Sequence, residues 1–140
     1  MAEGHKDYSR TPLWKKLGIR EGSRVLLIGA PLRFETKLDD VPDGVSFLTR
    51  PRTGLDVVVW FVTERADLAK RFNGLARRIE PDGRLWVAWP KKASGVPTDV
   101  GFEDVQGIGL ASGLVDNKSA SVTEVFQGVQ FVYRRKDRGP

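Results

Sequence analysis

The sequence has no cysteine and only one histidine, His5, among its 140 residues. The absence of cysteine excludes a disulfide framework, a zinc knuckle, an iron–sulfur cluster and a thiol nucleophile. His5 lies in a polar stretch before the first apolar run. This position argues against a Ser-His-Asp triad and against a multi-histidine metal site. We therefore expect no metal cofactor.

Long apolar runs are also missing. No uninterrupted run approaches the roughly 20 residues that a membrane-spanning helix needs, and residues 1–6 contain no apolar signal core. We expect a cytoplasmic protein that does not bind membranes. The length corresponds to one domain, and the 40% hydrophobic and 29% charged residues are typical of a globular chain. We divide the chain into a flexible N-terminus (1–10), a single α/β domain (11–133) and a basic flexible tail (134–140).

Positive charge is concentrated at the two ends of the chain. Residues 1–24 and residues 133–140 each carry +3, so that residues 25–132 carry −1 of the total of +5. A protein that follows a nucleic-acid backbone needs an extended basic surface, so this charge distribution disfavours a nucleic-acid partner. The basic feature left inside the domain is the pair Lys91 and Lys92.

Apolar runs and turn residues predict alternating helices and strands. Helices are predicted over residues 11–18 with Thr11 as N-cap and Pro12 at the first position, over 64–79 after the cap Thr63, and over 98–111. One helical turn is expected near 35–38, and Pro81-Asp82-Gly83 should end the second helix. Strands are predicted over 24–28, 45–48, 56–62 and 84–89, and over 114–126 and 129–133 around a turn at Gln127-Gly128.

The order of these elements predicts the fold class. A strand, a helix and a strand joined by short loops over residues 56–89 form a crossover unit with parallel strands. The last two strands form an antiparallel hairpin. The expected fold is α/β, a three-layer Rossmann-like sheet that is mostly parallel and ends in an antiparallel hairpin.

Three segments resemble a family of small bacterial proteins classed as a domain of unknown function. They are TPLWKKLGI at 11–19, LWVAWPKKASG at 85–95 and GLVDNK at 113–118, and the resemblance spans roughly residues 8–135. This resemblance implies no established activity. The strand pattern is similar to a truncated class I methyltransferase, which implies a site for an S-adenosyl cofactor.

An S-adenosyl site of this kind depends on the residues that follow the first two strands. Methyltransferases of this class place a glycine-rich turn after the first strand and an acid after the second. Here residues 28–31 read IGAP, with the single glycine Gly29, and residues 49–51 read TRP, without an acid. Asp56 matches an acid that often opens the fourth strand of the fold, but residues 61–64 lack the loop of amino-methylating enzymes. The resemblance therefore favours a relative that has lost its S-adenosyl site over a working enzyme.

Open α/β sheets bind ligands beyond the carboxyl ends of their strands. The loops expected there are 29–34, which includes Gly29, 63–64 and 90–97. The last is the richest: Lys91 and Lys92 offer cationic donors, Ser94 a hydroxyl and Gly95 an accessible backbone, just before a helix N-terminus that favours anions. This loop predicts a site for a phosphate or a carboxylate, with a merely solvated loop as the alternative. Its glycine and lysine spacing is not a Walker motif.

Two further features have both a functional and a structural interpretation. Asp116, Asn117 and Lys118 form a polar cluster that either holds a ligand or makes a turn before the hairpin, and it should lie at the opposite end of the sheet. Trp89 either stacks on an aromatic ligand or packs in the core. Trp60 and Trp86 lie within apolar strands and should be core residues.

Three function hypotheses remain. The first is a non-catalytic or cryptic module that binds a small anionic, nucleotide-like ligand through Lys91, Lys92, Ser94 and Gly95. The second is a group transferase with a degenerate S-adenosyl site. The third is an interaction module that docks through its basic ends on an acidic partner or nucleic acid. The ligand, the reaction and the oligomeric state stay open.

Overall fold

The computed structural model describes residues 11–138, and the expected flexible N-terminus and the last two residues of the expected tail lie outside this range. His5 lies outside it as well. No helix in the described part of the chain is long and apolar enough to cross a membrane.

Six strands form one sheet, with helices on both of its faces. The helices are α1 (Leu13–Lys16), α2 (Arg65–Ala76) and α3 (Phe102–Ala111), and short 3₁₀ turns cover Phe34–Leu38, Lys92–Ser94 and Arg135–Asp137. The strands are β1 (Arg24–Ile28), β2 (Ser46–Leu48), β3 (Leu55–Phe61), β4 (Ile79–Pro90), β5 (Leu114–Ser121) and β6 (Phe126–Tyr133).

The strand order is β2-β1-β3-β4-β6-β5. The first four strands are parallel, β6 is antiparallel to β4, and β5 is antiparallel to β6. This arrangement confirms the predicted fold class, including the parallel crossover between β3 and β4 and the terminal hairpin. Consequently, the loops after β1, β3 and β4 all leave the same edge of the sheet.

Successive side chains of the central strands pack in two separate hydrophobic cores, one on each face of the sheet. In β3, Val58 and Trp60 pack with α2 and α3, whereas Val57, Val59 and Phe61 pack with α1 and the Phe34–Leu38 turn. This alternation follows from the two-residue period of a strand. It explains the continuous apolar run that predicted β3, and it places Trp60 and Trp86 in the core as expected.

The boundary between α2 and β4 differs from the prediction. The helix ends at Ala76, and β4 already begins at Ile79, which pairs with Leu55 of β3. The three residues expected to form a turn, 81–83, lie within the strand, at an irregularity in its register. Backbone pairing with β3 therefore overrides the local turn signal.

The hairpin turn was also predicted at the wrong place. Gln127 and Gly128 lie inside β6, and the chain turns at residues 122–125, where the hydroxyl of Thr123 accepts hydrogen bonds from the N–H groups of Val125 and Phe126. Glycine is needed at position 128 because neighbouring side chains leave no space for a Cβ. A Cβ at this position would lie 3.3 Å from Cε3 of Trp86.

All three helices begin later than predicted. Pro12, and not Thr11, is the N-cap of α1, and Glu64, and not Thr63, is the N-cap of α2. Helix α3 begins at Phe102, because the hydroxyl of Thr98 bonds to the carbonyl of Thr63 at 2.6 Å and holds the preceding segment in an extended loop.

Candidate functional site

A cavity of about 850 Å³ opens at the carboxyl end of β4 and the amino end of β6. We call it the carboxyl-end groove. Its lining combines cationic, apolar and amide side chains, among them Trp89, Lys91, Lys92, Val96, Phe102 and Gln127. A smaller cavity of about 460 Å³ shares Trp89, Lys91, Phe102 and Gln127 with it and extends the groove toward β5.

The ladder between β4 and β6 positions the lysine loop. Pro90 pairs with Phe126, and the N–H of Lys91 donates to the carbonyl of Val125 at 2.8 Å. The chain then makes the Lys92–Ser94 turn, which Gly95 closes in the left-handed region at φ 74°. The half-buried Lys91 reaches across to β5, where its Nζ donates to the hydroxyl of Ser121 at 2.7 Å. Lys92 is exposed.

Four of the predicted site residues share this groove: Trp89, Lys91, Lys92 and Gly95. Trp89 is only 3% exposed and belongs to the core, so it forms a wall of the groove and presents no free face for stacking. The N–H of Gly95 donates to the carbonyl of Lys92, so the loop's own turn uses it.

Ser94 shapes the loop but does not line the groove. Its hydroxyl donates to the carbonyl of Lys91 at 2.7 Å and accepts from the N–H of Val96 at 3.2 Å. These two internal bonds stabilise the turn that carries the lysines, and the ligand contact of Ser94 stays a prediction.

Gly29 is not among the residues that line the groove. It has φ +66°, and a Cβ there would lie 2.7 Å from the carbonyl oxygen of Phe61. Glycine is required at this position because the end of β3 approaches the backbone closely. A glycine after a strand is typical both of a ligand contact and of a close backbone approach, which is why Gly29 was predicted as a ligand contact.

The helix N-termini near the groove are occupied by carboxylates of the chain itself. The N–H of Arg65, the first residue of α2, donates to Oδ1 of Asp99 at 2.7 Å. The N–H of Gly101, at the N-cap of α3, donates to Oδ2 of Asp104 at 3.0 Å. Asp104 also forms an ion pair with Arg65 at 3.2 Å. The expected helix-terminus contribution to anion binding is therefore absent for these N–H groups, and the lysines must supply the attraction.

Charge in the groove is not neutralised by ion pairs. Among residues 11–138 the one ion pair is Arg65–Asp104, so Lys91 and Lys92 have no carboxylate within ion-pair distance. Glu103 lines the same cavity. Two further residues line the groove but were not predicted as site residues: Phe102, which is 46% exposed at the start of α3, and Gln127. Phe102 lies within the helix predicted over 98–111, where an apolar residue is expected to pack in the core, so no sequence signal marked it as exposed.

The second predicted cluster does not form one site. Asp116 accepts from Nε2 of Gln106 at 3.3 Å, the side-chain oxygen of Asn117 accepts from Gln130 at 2.9 Å, and Nζ of Lys118 donates to the carbonyl of Lys16 at 2.7 Å. The three residues lie in β5 around a register shift, so the alternative interpretation as a turn is wrong. Asn117 lines a cavity with Asp82 and Arg84, near the amino end of β4 and away from the groove.

Metal binding has no support in the described residues. No group of three or more His, Cys, Asp or Glu side chains within residues 11–138 is arranged to hold a metal ion.

The chain is similar to one sequence family and to a group of solved enzyme structures. The model of the family described as "Protein of unknown function (DUF3052)" matches residues 49–135. No curated protein sequence matches significantly.

Several solved structures have the same fold. Magnesium protoporphyrin IX methyltransferase (ChlM) from Synechocystis PCC 6803 with bound SAH aligns with a TM-score of 0.59 at 10% identity, over 94% of this chain and 84% of that one. Precorrin-6y C5,15-methyltransferase from Geobacter metallireducens GS-15 aligns with a TM-score of 0.59 at 8% identity, over 87% of this chain and 86% of that one. The Methanococcus jannaschii fibrillarin pre-rRNA processing protein aligns with a TM-score of 0.53 at 12% identity, over 88% of this chain and 69% of that one. The structural similarity shows a methyltransferase-like fold, and at these low identities it shows nothing more specific.

The residues at the ends of β1 and β2 do not fit an S-adenosyl cofactor held by a glycine-rich turn and an acid. The single glycine after β1 accommodates the carbonyl of Phe61, as described above. Next to it, the fully buried ring of Phe34 packs edge to face on Phe61 with the ring centroids 5.0 Å apart. Thr49 and Arg50 follow β2, where the acid would be needed.

Proposed function

This chain belongs to the DUF3052 family, and we propose that it is a non-catalytic ligand-binding module that holds a small anionic, nucleotide-like molecule in the carboxyl-end groove. One observation carries the proposal. Two lysines without an ion-pair partner in residues 11–138 share a cavity of about 850 Å³ with the exposed ring of Phe102.

The lining supplies the two kinds of contact that such a ligand needs. The ammonium groups of Lys91 and Lys92 are compact charges suited to a phosphate. The ring of Phe102 offers a surface on which a base can stack, and Gln127 offers an amide that can donate to and accept from a base edge. The volume lies within the range of typical small-molecule pockets, about 300–1,000 Å³.

The same lining favours binding over catalysis. Glu103 is the one carboxylate among the residues that line the cavity, and no histidine or cysteine accompanies it. General acid–base chemistry on a carboxylate pair would need a second such group within reach of the first. Binding needs only the cationic and apolar contacts already present.

Isothermal titration and thermal-shift measurements with AMP, ADP, ATP and inorganic phosphate test this proposal. We expect saturable binding of at least one nucleotide by the intact chain. The double variant Lys91→Ala/Lys92→Ala should weaken it about tenfold or more, because each lysine supplies a charge-assisted contact. Lys70→Ala, a change at an exposed lysine of α2, is the matched control and should leave affinity unchanged.

Two results would overturn the proposal. One is the absence of any saturable binding among these probes. The other is nucleotide binding of equal affinity in the double variant, with its fold verified by circular dichroism. S-adenosylhomocysteine serves as a further probe. Binding of this compound that survives the double variant would place a ligand at the β1 end of the sheet and contradict the assignment of the groove.

A further inference from the structure

Three arginines meet at the amino end of the sheet, away from the carboxyl-end groove. Arg20, Arg84 and Arg138 line one cavity of about 200 Å³ together with Asp82 and Asn117. A second cavity of about 280 Å³ shares Arg20, Asp82 and Arg84 with it. A water molecule takes up about 30 Å³ of liquid volume, so the first cavity has room for a small oxyanion and a few waters.

The guanidinium group of Arg84 is held in place by the fold itself. Its Nη1 donates to Oε1 of Gln130 at 3.2 Å, and Nε2 of Gln130 donates to Oδ1 of Asn117 at 2.9 Å. Gln130 is only 2% exposed, so this amide is a fixed support. On the other side Gly18 leaves space for the arginine, since a Cβ there would lie 2.6 Å from Cδ of Arg84. The other N–H groups of the Arg84 guanidinium have no hydrogen-bond acceptor among residues 11–138.

The cationic side chains at this end of the sheet form no ion pairs within residues 11–138, although Asp82, Glu21 and Asp56 line the same two cavities. Asp82 lies nearby, but within residues 11–138 it forms no ion pair with Arg84. Burial lowers the pKa of Arg84, and the charge of Arg20 lowers it further, against the opposite effect of Asp82. Burial also lowers the pKa of Lys118, followed by the charges of Arg84 and Lys16. A bound anion would relieve this repulsion between cations.

We propose that Arg20, Arg84 and Arg138 form a second ligand site, which binds a phosphate group carried by a small molecule. The planar guanidinium group places two parallel N–H donors opposite two oxygens of an oxyanion, and its charge persists at all physiological pH values. The half-buried and already oriented Arg84 is the central contact, and the exposed Arg20 and Arg138 complete the site from the rim. This site is independent of the proposed function, because no residue of the carboxyl-end groove belongs to it.

Titration with inorganic phosphate at constant ionic strength, with chloride as the exchanged anion, tests the second site. The chain carrying Lys91→Ala/Lys92→Ala is used as background, so that failure of the groove and failure of this site are distinguished. We expect saturable phosphate binding in this background. Arg20→Gln should weaken it about tenfold, which is the effect of losing one charged hydrogen-bond donor. Arg20 is exposed, so this variant folds even if changes at Arg84 do not.

Arg52→Gln, a change in an exposed loop, is the charge-matched control and should leave phosphate affinity unchanged. In ¹H–¹⁵N spectra, phosphate should shift the side-chain amide resonances of Gln130 and Asn117. No saturable phosphate binding, equal affinity in Arg20→Gln and the parent, or unmoved amide resonances of Gln130 would each overturn the proposal.

Discussion

The ε-amino group of Lys91 donates a hydrogen bond to the hydroxyl of Ser121 at 2.7 Å, which joins the loop after β4 to the edge strand β5. The hydroxyl in turn donates to the carbonyl of Thr123 at 3.1 Å, in the turn of the hairpin. This bond uses one of the three N–H donors of the ammonium group and leaves two for a ligand. The hairpin that closes the sheet therefore also sets the position of one cation of the groove.

Removing the serine hydroxyl tests this coupling. In Ser121→Ala, Lys91 keeps its charge but loses its anchor, so we expect nucleotide affinity to fall about two- to tenfold, the effect of one hydrogen bond. Ser119→Ala is the matched control, because Ser119 lies on the same strand two residues earlier and lines the same extension of the groove. Isothermal titration measures both. Equal losses in the two variants would contradict the role of the Lys91–Ser121 bond.

Two glycines of α3 should respond to alanine in opposite directions. A Cβ at Gly107 meets no atom within 4 Å, whereas a Cβ at Gly109 would overlap the ring of the fully buried Phe131. Gly107→Ala should stabilise the fold by up to about 1 kcal/mol through helix propensity. Gly109→Ala should destabilise it by about 1–3 kcal/mol through overpacking. Urea denaturation measures both changes, and a stable Gly109→Ala would show that α3 packs less closely on β6 than described.

The carboxylate of Asp99 should stabilise the fold as a cap of α2. It accepts the N–H of Arg65, the first helical residue, at 2.7 Å, although it lies 34 residues away in the chain. Asp99→Ala should lower the free energy of unfolding by about 0.5–2 kcal/mol, the usual effect of losing an N-cap acceptor. Asp99→Asn keeps an oxygen acceptor and should lose much less. Chemical denaturation of both variants provides the measurement, and equal losses would argue against the capping role.

Tyr133 should make stability depend on pH in the alkaline range. Its hydroxyl donates to the carbonyl of Ala76 at 2.6 Å, and burial raises its pKa above the ordinary value of 10.0, partly opposed by the charge of Arg77. The folded state therefore keeps a proton that the unfolded state loses, so this contribution is complete below pH 10 and declines as the pH rises through the folded pKa.

Tyr133→Phe tests this linkage. The variant should be about 0.5–1.5 kcal/mol less stable at pH 8, where the hydrogen bond is intact in the wild type. Between pH 9.5 and pH 11 its stability should fall less steeply than that of the wild type. Urea melts across this range measure the slope, and identical slopes would contradict the assignment.

The sequence predicted the sheet well because its central strands are buried on both faces. A run such as residues 57–62 is apolar throughout in that environment, and its shortness and β-branched residues favour a strand over a buried helix. The boundaries were less predictable where distant pairing decided them. Ile79 joins β4 because Leu55 pairs with it, and the local signal of Pro81 and Gly83 does not reveal this partner.

The location of the lysine loop could also be predicted from the sequence, whereas the contacts of several predicted site residues could not. The lysines follow a strand of known direction, so their place at the carboxyl end could be derived. The roles of Ser94 and Gly29 could not, because internal hydrogen bonds and a close backbone approach use them in the fold. The association of Arg20 with Arg84 and Arg138 joins three distant parts of the chain, which no local pattern indicates.

Chemical-shift mapping of ADP on the ¹⁵N-labelled chain shows directly whether a nucleotide binds in the carboxyl-end groove. We expect the saturable shifts to concentrate on the backbone amides of Lys91, Lys92, Gly95 and Phe102 and on the side-chain amide of Gln127, and to need about tenfold or more ADP for saturation in Lys91→Ala/Lys92→Ala. Shifts centred instead on Gly29 and Phe34, or none at any of these positions at millimolar ADP, would contradict binding in this groove.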